Sequence, residues 1–446
     1  MANSPIVNMF KIKELRQKLF FTFLILVVFR LGCVLTIPGI NAQVLVDYFD
    51  NLAQNSAENS FASYMNFFAG GAFERFSVFM LGVMPYVSTQ IILQLALIIF
   101  PSLKRAVQED GGQRKFAAWT RIGTVFVCLI QSLAVTVYAS SIPGAIAIEN
   151  QLAFKLLAML TVTTGAMITI WLGDQITAHG IGNGISMLIF AGIVARLPSA
   201  VIDLVQRVRD PNSGINAVFV IIVLLMFVGI IAFVVYEQSG ERKIPVHYAK
   251  RVVGRKMYGG QSTYIPFKIN PSGVIPVIFA SSFLTFPLQI ISSVGKYKNG
   301  GWVNKLATIL NPTGWVYNIL LVLLIIFFAY FYTQVTLNPT EIAKNIRENG
   351  GSIPGIRTDK TEEYLQKVLN RLVLPGSLYL VLIAVLPTLI QILFQFPQSI
   401  AMLMGGTSLL ILVGVDVDTM SQVEALLKMH HSEGLVKKGK LRSRNL

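Results

Sequence analysis

The residues best suited to metal binding or nucleophilic chemistry are four histidines and two cysteines, and their spacing supports neither. Cys33 and Cys128 lie in separate apolar runs without ligand-type neighbours, which reads as small packing residues, not as a metal site or a disulfide. His179 falls in a short loop, His247 in a basic loop, and the adjacent His430 and His431 in a tail expected to be solvated. GIGNGIS at 180–186 is glycine-rich, but no strand precedes it. A tight turn entering a close-packed helix explains it better than a phosphate cradle. No Walker-type loop is present, so no cofactor, metal or catalytic residue is expected.

The polar groups that remain are mostly basic: 37 Lys and Arg against 22 Asp and Glu. Residues 237–271 form one basic connection. In it IPVHYAKRVV and STYIPFKI alternate on either side of Gly259-Gly260, so a β-hairpin is expected, with Arg251, Arg255 and Lys256 around its tip. Residues 336–371 form a second. Asn338 can cap a helix there, Pro339 suits its first position, and Glu341 completes a capping-box arrangement. That helix should end at Gly350-Gly351. SIPGIR then turns to present Arg357, and a second helix starts near Asp359. Basic loops can simply lie on anionic lipid. Local order with arginines at the turn tips favours docking onto a large acidic or RNA-containing partner.

The elements that hold these loops are apolar. Of 446 residues 54% are hydrophobic and 13% charged, and the mean hydropathy is +0.62. Soluble domains carry about a quarter charged residues, so the class is integral membrane protein. Ten continuous runs have the length of spanning helices, roughly 19–37, 74–100, 117–138, 153–173, 184–205, 216–236, 272–294, 314–335, 372–394 and 399–415. The first run is too long for a removable signal peptide and leads into TIPGI, not into a cleavage site, so it should remain as a helix. With both termini cytoplasmic, 28 Lys and Arg fall on the cytoplasmic side and 8 opposite, Arg30 alone lying inside a span. This is the positive-inside pattern.

Ionisable side chains are otherwise nearly missing from the spans, with Asp174 and Arg196 towards helix ends. That weighs against an ion-coupled secondary transporter, although sodium sites can be built from carbonyls and hydroxyls. FFAGGAFERFSVFMLGVMPYVSTQ at 67–90 is the irregular part. Residues 61–71 would make a helix of only about 16 Å, half a bilayer, so this piece should be re-entrant. Glu74-Arg75 should be the wet entry to the second span, within which Pro85 bends the helix.

Quoted in order, IPGI (37–40), FFAGGAFERFSVFMLGVMPYVSTQIILQL (67–95), WLGDQITAHGIGNGISMLIFAGIVA (171–195), ERKIPVHYAKR (241–251), GGQSTYIPFKIN (259–270), GVIPVIFASS (273–282), NPTEIAKNIRENGGSIPGIR (338–357) and GGTSLLI (405–411) resemble the SecY family over nearly the whole chain. The resemblance implies an all-α integral membrane protein with ten transmembrane helices in two pseudo-symmetric five-helix halves around a central pore. The halves would be 1–205 and 206–415, followed by a cytoplasmic tail at 416–446.

It further implies a passive protein-conducting channel that releases signal sequences and membrane segments laterally. Val83, Val87, Ile185, Ile189, Ile278 and Ile411 would form the pore ring. Phe67 and Phe68, with the hinge at Gly70 and Gly71, would belong to a short re-entrant plug helix at about 61–73. Ser88, Thr89, Gln94, Gln131, Ser281 and Ser282 would be lateral-gate candidates, with interhelical hydrogen bonding as the plainer reading. Arg251, Arg255, Lys256 and Arg357 would meet the SecA motor or the ribosome, at its exit-site RNA and proteins. The other implied partners are SecE, SecG, unfolded preproteins with their signal sequences, and anionic lipids, in a bacterial plasma (inner) membrane, with a thylakoid membrane as the runner-up. No enzyme activity is implied. A scaffold for another membrane protein would explain the docking loops but not the broken second run.

Overall fold

The structure is a computed structural model that describes residues 12–54, 69–109, 111–140, 142–209, 217–248, 251–253, 256–258, 262–295, 314–394 and 407–438. Helices fall on all ten apolar runs. In chain order the helices are α1 (Lys13–Gly32), α2 (Ala42–Gln54), α3 (Met84–Ile99), α4 (Pro101–Gln108), α5 (Gly112–Ser140), α6 (Gln151–His179) and α7 (Gly184–Val194). They continue as α8 (Leu197–Arg209), α9 (Ala217–Gln238), α10 (Ile275–Gly295), α11 (Trp315–Thr336), α12 (Pro339–Glu348), α13 (Thr361–Phe394) and α14 (Thr407–Lys438).

Four helical stretches among the described residues are long and apolar enough to cross a membrane unaided: Gly112–Ser140, Gln151–His179, Trp315–Glu348 and Thr358–Leu386. The pair α3 and α4 adds a fifth if counted as one, although the chain turns by 110° between them. Pro101 causes that turn. It disfavours helical backbone at Phe100, which is extended at φ −111° and ψ 97°. Large apolar side chains are exposed on α5, α6 and α9, with Phe126, Leu152 and Leu225 at 65%, 70% and 68% exposure. Water would penalise such a surface, and hydrocarbon would not.

The chain divides into two compact units, one of residues 1–199, 292–299 and 415–446, the other of 200–291 and 300–414. In the first, α5 packs against α3 and α6, and α6 against α1 and α7. Glycines permit the close approaches. A Cβ on Gly165 would overlap the Val78 carbonyl, and one on Gly184 the Gly173 carbonyl. Both GIGNGIS expectations hold, since Gly182 has φ +86° and the Asn183 side chain caps α7 by accepting from Ile185 and Ser186 N–H.

Three expectations for this unit are corrected. The second run is not helical from Glu74. Residues 69–83 are successive turns, with φ positive at Gly70, Gly71, Phe76 and Gly82, and α3 begins only at Met84. Pro85 stands in the first turn of α3, where it starts the helix without bending it. The fifth run breaks at Ala195-Arg196 into α7 and α8. α14 carries the chain from the tenth run into the segment from 416 as one helix, as far as Lys438. Leu15, Ile181 and Val423 form a small core there, and Gln422 Oε1 accepts from Gly182 N–H at 3.0 Å.

In the second unit β1 (Glu241–Tyr248) pairs antiparallel with β4 (Ser262–Lys268), from Glu241↔Lys268 to His247↔Ser262. Between them β2 (Arg251–Val253) pairs with β3 (Lys256–Tyr258). The expected hairpin is present, its innermost described pair being Val253 and Lys256, while Gly259 and Gly260 lie outside the described residues. A further strand, β5 (Gly351–Ser352), comes from the other basic connection and pairs with β1 through His247↔Ser352 and Tyr248↔Gly351. The sheet order is β4-β1-β5.

Candidate functional site

The two basic connections form one folded body. Alternation along β1 turns Ile244 and Val246 inward and leaves Lys243 and Pro245 exposed. Those two inward side chains share a core with Phe267 of β4, Ile346 of α12, and Leu365 and Leu369 of α13. Asn338 caps α12 by accepting from Thr340 N–H at 3.2 Å, Pro339 occupies its first turn, and Gly350 at φ +66° stops it, all as expected. Thr340 donates to Glu362 at 2.8 Å, tying α12 to the start of α13. Lys367 donates to Glu363 at 2.8 Å, which holds that carboxyl below its ordinary range.

Arg357 lies on the rim of this body. It precedes the 3-10 turn Thr358–Lys360, its carbonyl accepts from Lys360 N–H at 2.8 Å, and its side chain is exposed. No carboxylate among the described residues neutralises it. Arg251 and Lys256 are backbone-paired in β2 and β3, and Arg255 lies outside the described residues.

Val83, Val87, Ile185 and Ile189 belong to the first unit, Ile278 and Ile411 to the second. Val83 is the residue before α3, and its carbonyl accepts from Val87 N–H at 3.1 Å, so the two share a face despite the late helix start. Ile185 and Ile189 are one turn apart on α7. All six are buried except Ile185, which is half-buried against Gly173.

Phe67 and Phe68 lie outside the described residues. Gly70 and Gly71 are described and have φ +63° and +88°, a conformation that only glycine adopts cheaply. Gly70 is further constrained by contact, since a Cβ there would come within 2.7 Å of the Gly192 Cα.

Three of the six lateral-gate candidates donate to carbonyls of their own helices. Ser88 donates to the Met84 carbonyl at 3.0 Å, Thr89 to Pro85 at 2.8 Å, and Ser281 to Ile278 at 3.0 Å. Gln131 and Ser282 are buried, and Gln94 is half-buried with Oε1 unpaired.

Polar contacts that sequence reading missed lie at the turns. Arg196 pairs with Glu74 at 3.3 Å, and Arg30 donates to the Gly70 carbonyl at 3.2 Å. Arg121 pairs with Asp174 at 2.7 Å. The available signal was scarcity: opposite charges in an apolar chain, assigned to the same side by the charge bias, are natural partners. Among the described residues no group of three His, Cys, Asp or Glu side chains could hold a metal ion, and both cysteines are buried and free.

These features define a class: a multi-helix membrane protein whose basic connections fold into one module. The SecY family model matches residues 77–420, and the chain belongs to that family. It is 43% identical over 422 residues to the protein translocase subunit SecY of Borreliella burgdorferi, covering 95% of each chain. It is 42% identical to that of Thermotoga maritima, covering 98% of each, and 39% identical to that of Escherichia coli, covering 96% of this chain and 95% of the relative. Among solved structures it resembles a protein conducting channel with a TM-score of 0.64 at 20% identity, covering 98% of this chain and 100% of the other. It also resembles Sec61 in a canine ribosome–channel complex from the endoplasmic reticulum, with a TM-score of 0.60 at 20% identity over the same shares.

Proposed function

We propose that this chain is the channel-forming subunit of a protein translocase, moving unfolded polypeptides across a membrane through a pore closed by an aliphatic ring. The observation that carries this reading is the 43% identity to a translocase subunit along 95% of both chains. The secondary-transporter alternative has no support in that relationship. An aliphatic constriction suits the task physically. It offers water and ions no hydrogen bonds, so it resists wetting, yet it yields around a passing chain without binding it.

Ten spans in two halves, 1–205 and 206–415, with cytoplasmic termini, make up the channel on this reading. The ion pairs agree with that sidedness. Arg121 and Asp174 join segments both assigned to the cytoplasm, while Glu74 and Arg196 join segments both assigned to the opposite face. Residues 61–71 are the plug, and Ser88, Thr89, Gln94, Gln131, Ser281 and Ser282 lie where signal sequences leave. Driving force comes from outside, from the SecA motor or the ribosome docking on the module that carries Arg251, Arg255, Lys256 and Arg357. SecE and SecG complete the assembly in a bacterial plasma membrane, with anionic lipid around it.

The test is reconstitution with the small subunits, a secretory precursor, SecA and ATP. The precursor becomes protease-protected if the reading is right. Accumulation of a small solute with no protected precursor would overturn it.

A further inference from the structure

The turn that leads into α7 presents backbone N–H groups that the helix itself cannot serve. Asn183 takes those of Ile185 and Ser186 in the ordinary way, as the cap. Three others are met one by one from separate elements. Thr22 Oγ1 of α1 accepts from Ile181 N–H at 3.1 Å, and Gln422 Oε1 of α14 accepts from Gly182 N–H at 3.0 Å. Thr177 Oγ1 of α6 accepts from Gly184 N–H at 2.9 Å.

The two threonines are already oriented for this. Thr22 donates its hydroxyl hydrogen to the Lys18 carbonyl at 3.0 Å, and Thr177 donates to the Gly173 carbonyl at 3.1 Å. Each oxygen therefore turns a lone pair to the turn. On α14, Thr419 shares the face of Gln422, and a Gly182 Cβ would stand 3.1 Å from its hydroxyl oxygen. Val423 beside them is buried with Leu15 and Ile181. The helical continuation of α14 past 416 thus has a task, which is to carry the acceptor for Gly182 to the turn.

What the turn sets is the start of α7. Gly182 at φ +86° reverses the chain, Gly184 opens the helix, Ile185 follows it, and Ile189 stands one turn on. A helix whose entry is fixed at three backbone points has its height and rotation fixed as well. Losing a point frees Ile185 before Ile189, because a helix frays from its end.

We propose that Thr22, Thr177 and Gln422 are positioning residues of the aliphatic ring, holding the entry of α7 so that Ile185 and Ile189 stand at the constriction. The inference rests on the channel reading above, which gives those two side chains a ring to complete. The three act through backbone N–H groups and need not touch the passing polypeptide. Their weights differ. Thr22 and Ile181 are 4% and 3% exposed, so an unmet N–H there is costly, whereas Gln422 is exposed and water can replace it.

The experiment uses the full chain assembled with its small subunits in lipid bilayers. Thr22→Val, Thr177→Val and Gln422→Leu are compared with Thr22→Ser, Thr177→Ser and Gln422→Glu, which keep an acceptor. Three readouts are taken: resting ion conductance, amide exchange of residues 181–186, and the rate at which Ile185→Cys in each background reacts with a water-soluble maleimide. Thr22→Val should raise exchange and maleimide rate about tenfold, and Gln422→Leu about threefold, with Thr177→Val between them. Conductance should rise in the same order, and the acceptor-keeping variants should stay near the parent. Faster exchange with parental conductance and maleimide rate would make the three residues plain structural anchors and overturn the proposal. Unchanged exchange in all variants would overturn it too, as would acceptor-keeping variants that leak like the others. Precursor protection by the parent is read in parallel. Its failure would count against the channel reading, while the maleimide rates still decide whether these residues place Ile185.

Discussion

Arg357 shows how far a single residue could be anticipated. Its place after a turn was legible in GGSIPGIR, because Gly350 can stop a helix and a proline can begin the next turn. The exposed side chain, without a carboxylate partner among the described residues, fits a contact with phosphate or carboxylate that a guanidinium can make in bidentate fashion. Reversal to Glu should lower motor- or ribosome-driven transport about tenfold or more, the cost of a lost charged hydrogen bond plus repulsion. Thermal stability should stay as in the parent. Binding of the motor to membranes containing the variant checks this, and unchanged binding would remove Arg357 from the docking surface. Glu74 was not legible in the same way. Hydropathy counts an apolar stretch as one run and does not register positive φ, so the span was drawn through Glu74 when the chain was turning. Gly70→Ala follows from that geometry. Left-handed backbone costs an alanine about 1–2 kcal/mol, and the collision with Gly192 adds to it. Increased resting ion leak of a folded variant is the expected outcome, read in the same lipid bilayers.

At the scale of elements, the basic connections were read separately and the structure joins them. Each was legible from its own local signals: alternation for β1 and β4, capping for α12. Their union depends on β5, whose two residues carry no strand signal of their own. Pairing over so short a length is decided by the shared core, not by propensity. Ile244→Ala removes a side chain 1% exposed at the centre of that core and should destabilise the module by about 2–5 kcal/mol. Amide protection should fall together in 241–248 and 339–353. Loss confined to the first segment would show that the connections fold independently. The proposed plug at 61–71 belongs to this scale too. Deleting 61–71 should leave a folded protein that leaks ions, checked by thermal unfolding beside conductance. A deletion that unfolds the chain would make the segment ordinary packing.

For the whole molecule, composition gave the class directly, because 13% charged residues and +0.62 mean hydropathy leave no soluble reading. The charge bias gave a sidedness that the ion pairs respect. Helix lengths were less legible. Among the described residues only four stretches, or five with the bent pair, are long and apolar enough by themselves; α7 has 11 residues, and α10 carries Pro287 inside it. In lipid such helices persist where neighbouring protein satisfies their ends. Six aliphatic positions, Val83 just before α3 and the others on α3, α7, α10 and α14, are the centre of the account. A precursor arrested in transit should cross-link to cysteines placed at Val87, Ile278 and Ile411 in the reconstituted channel, and not to one placed at the outward-facing Phe126. Cross-linking at Phe126 with none at the three aliphatic positions would contradict the claim that the polypeptide passes through this ring.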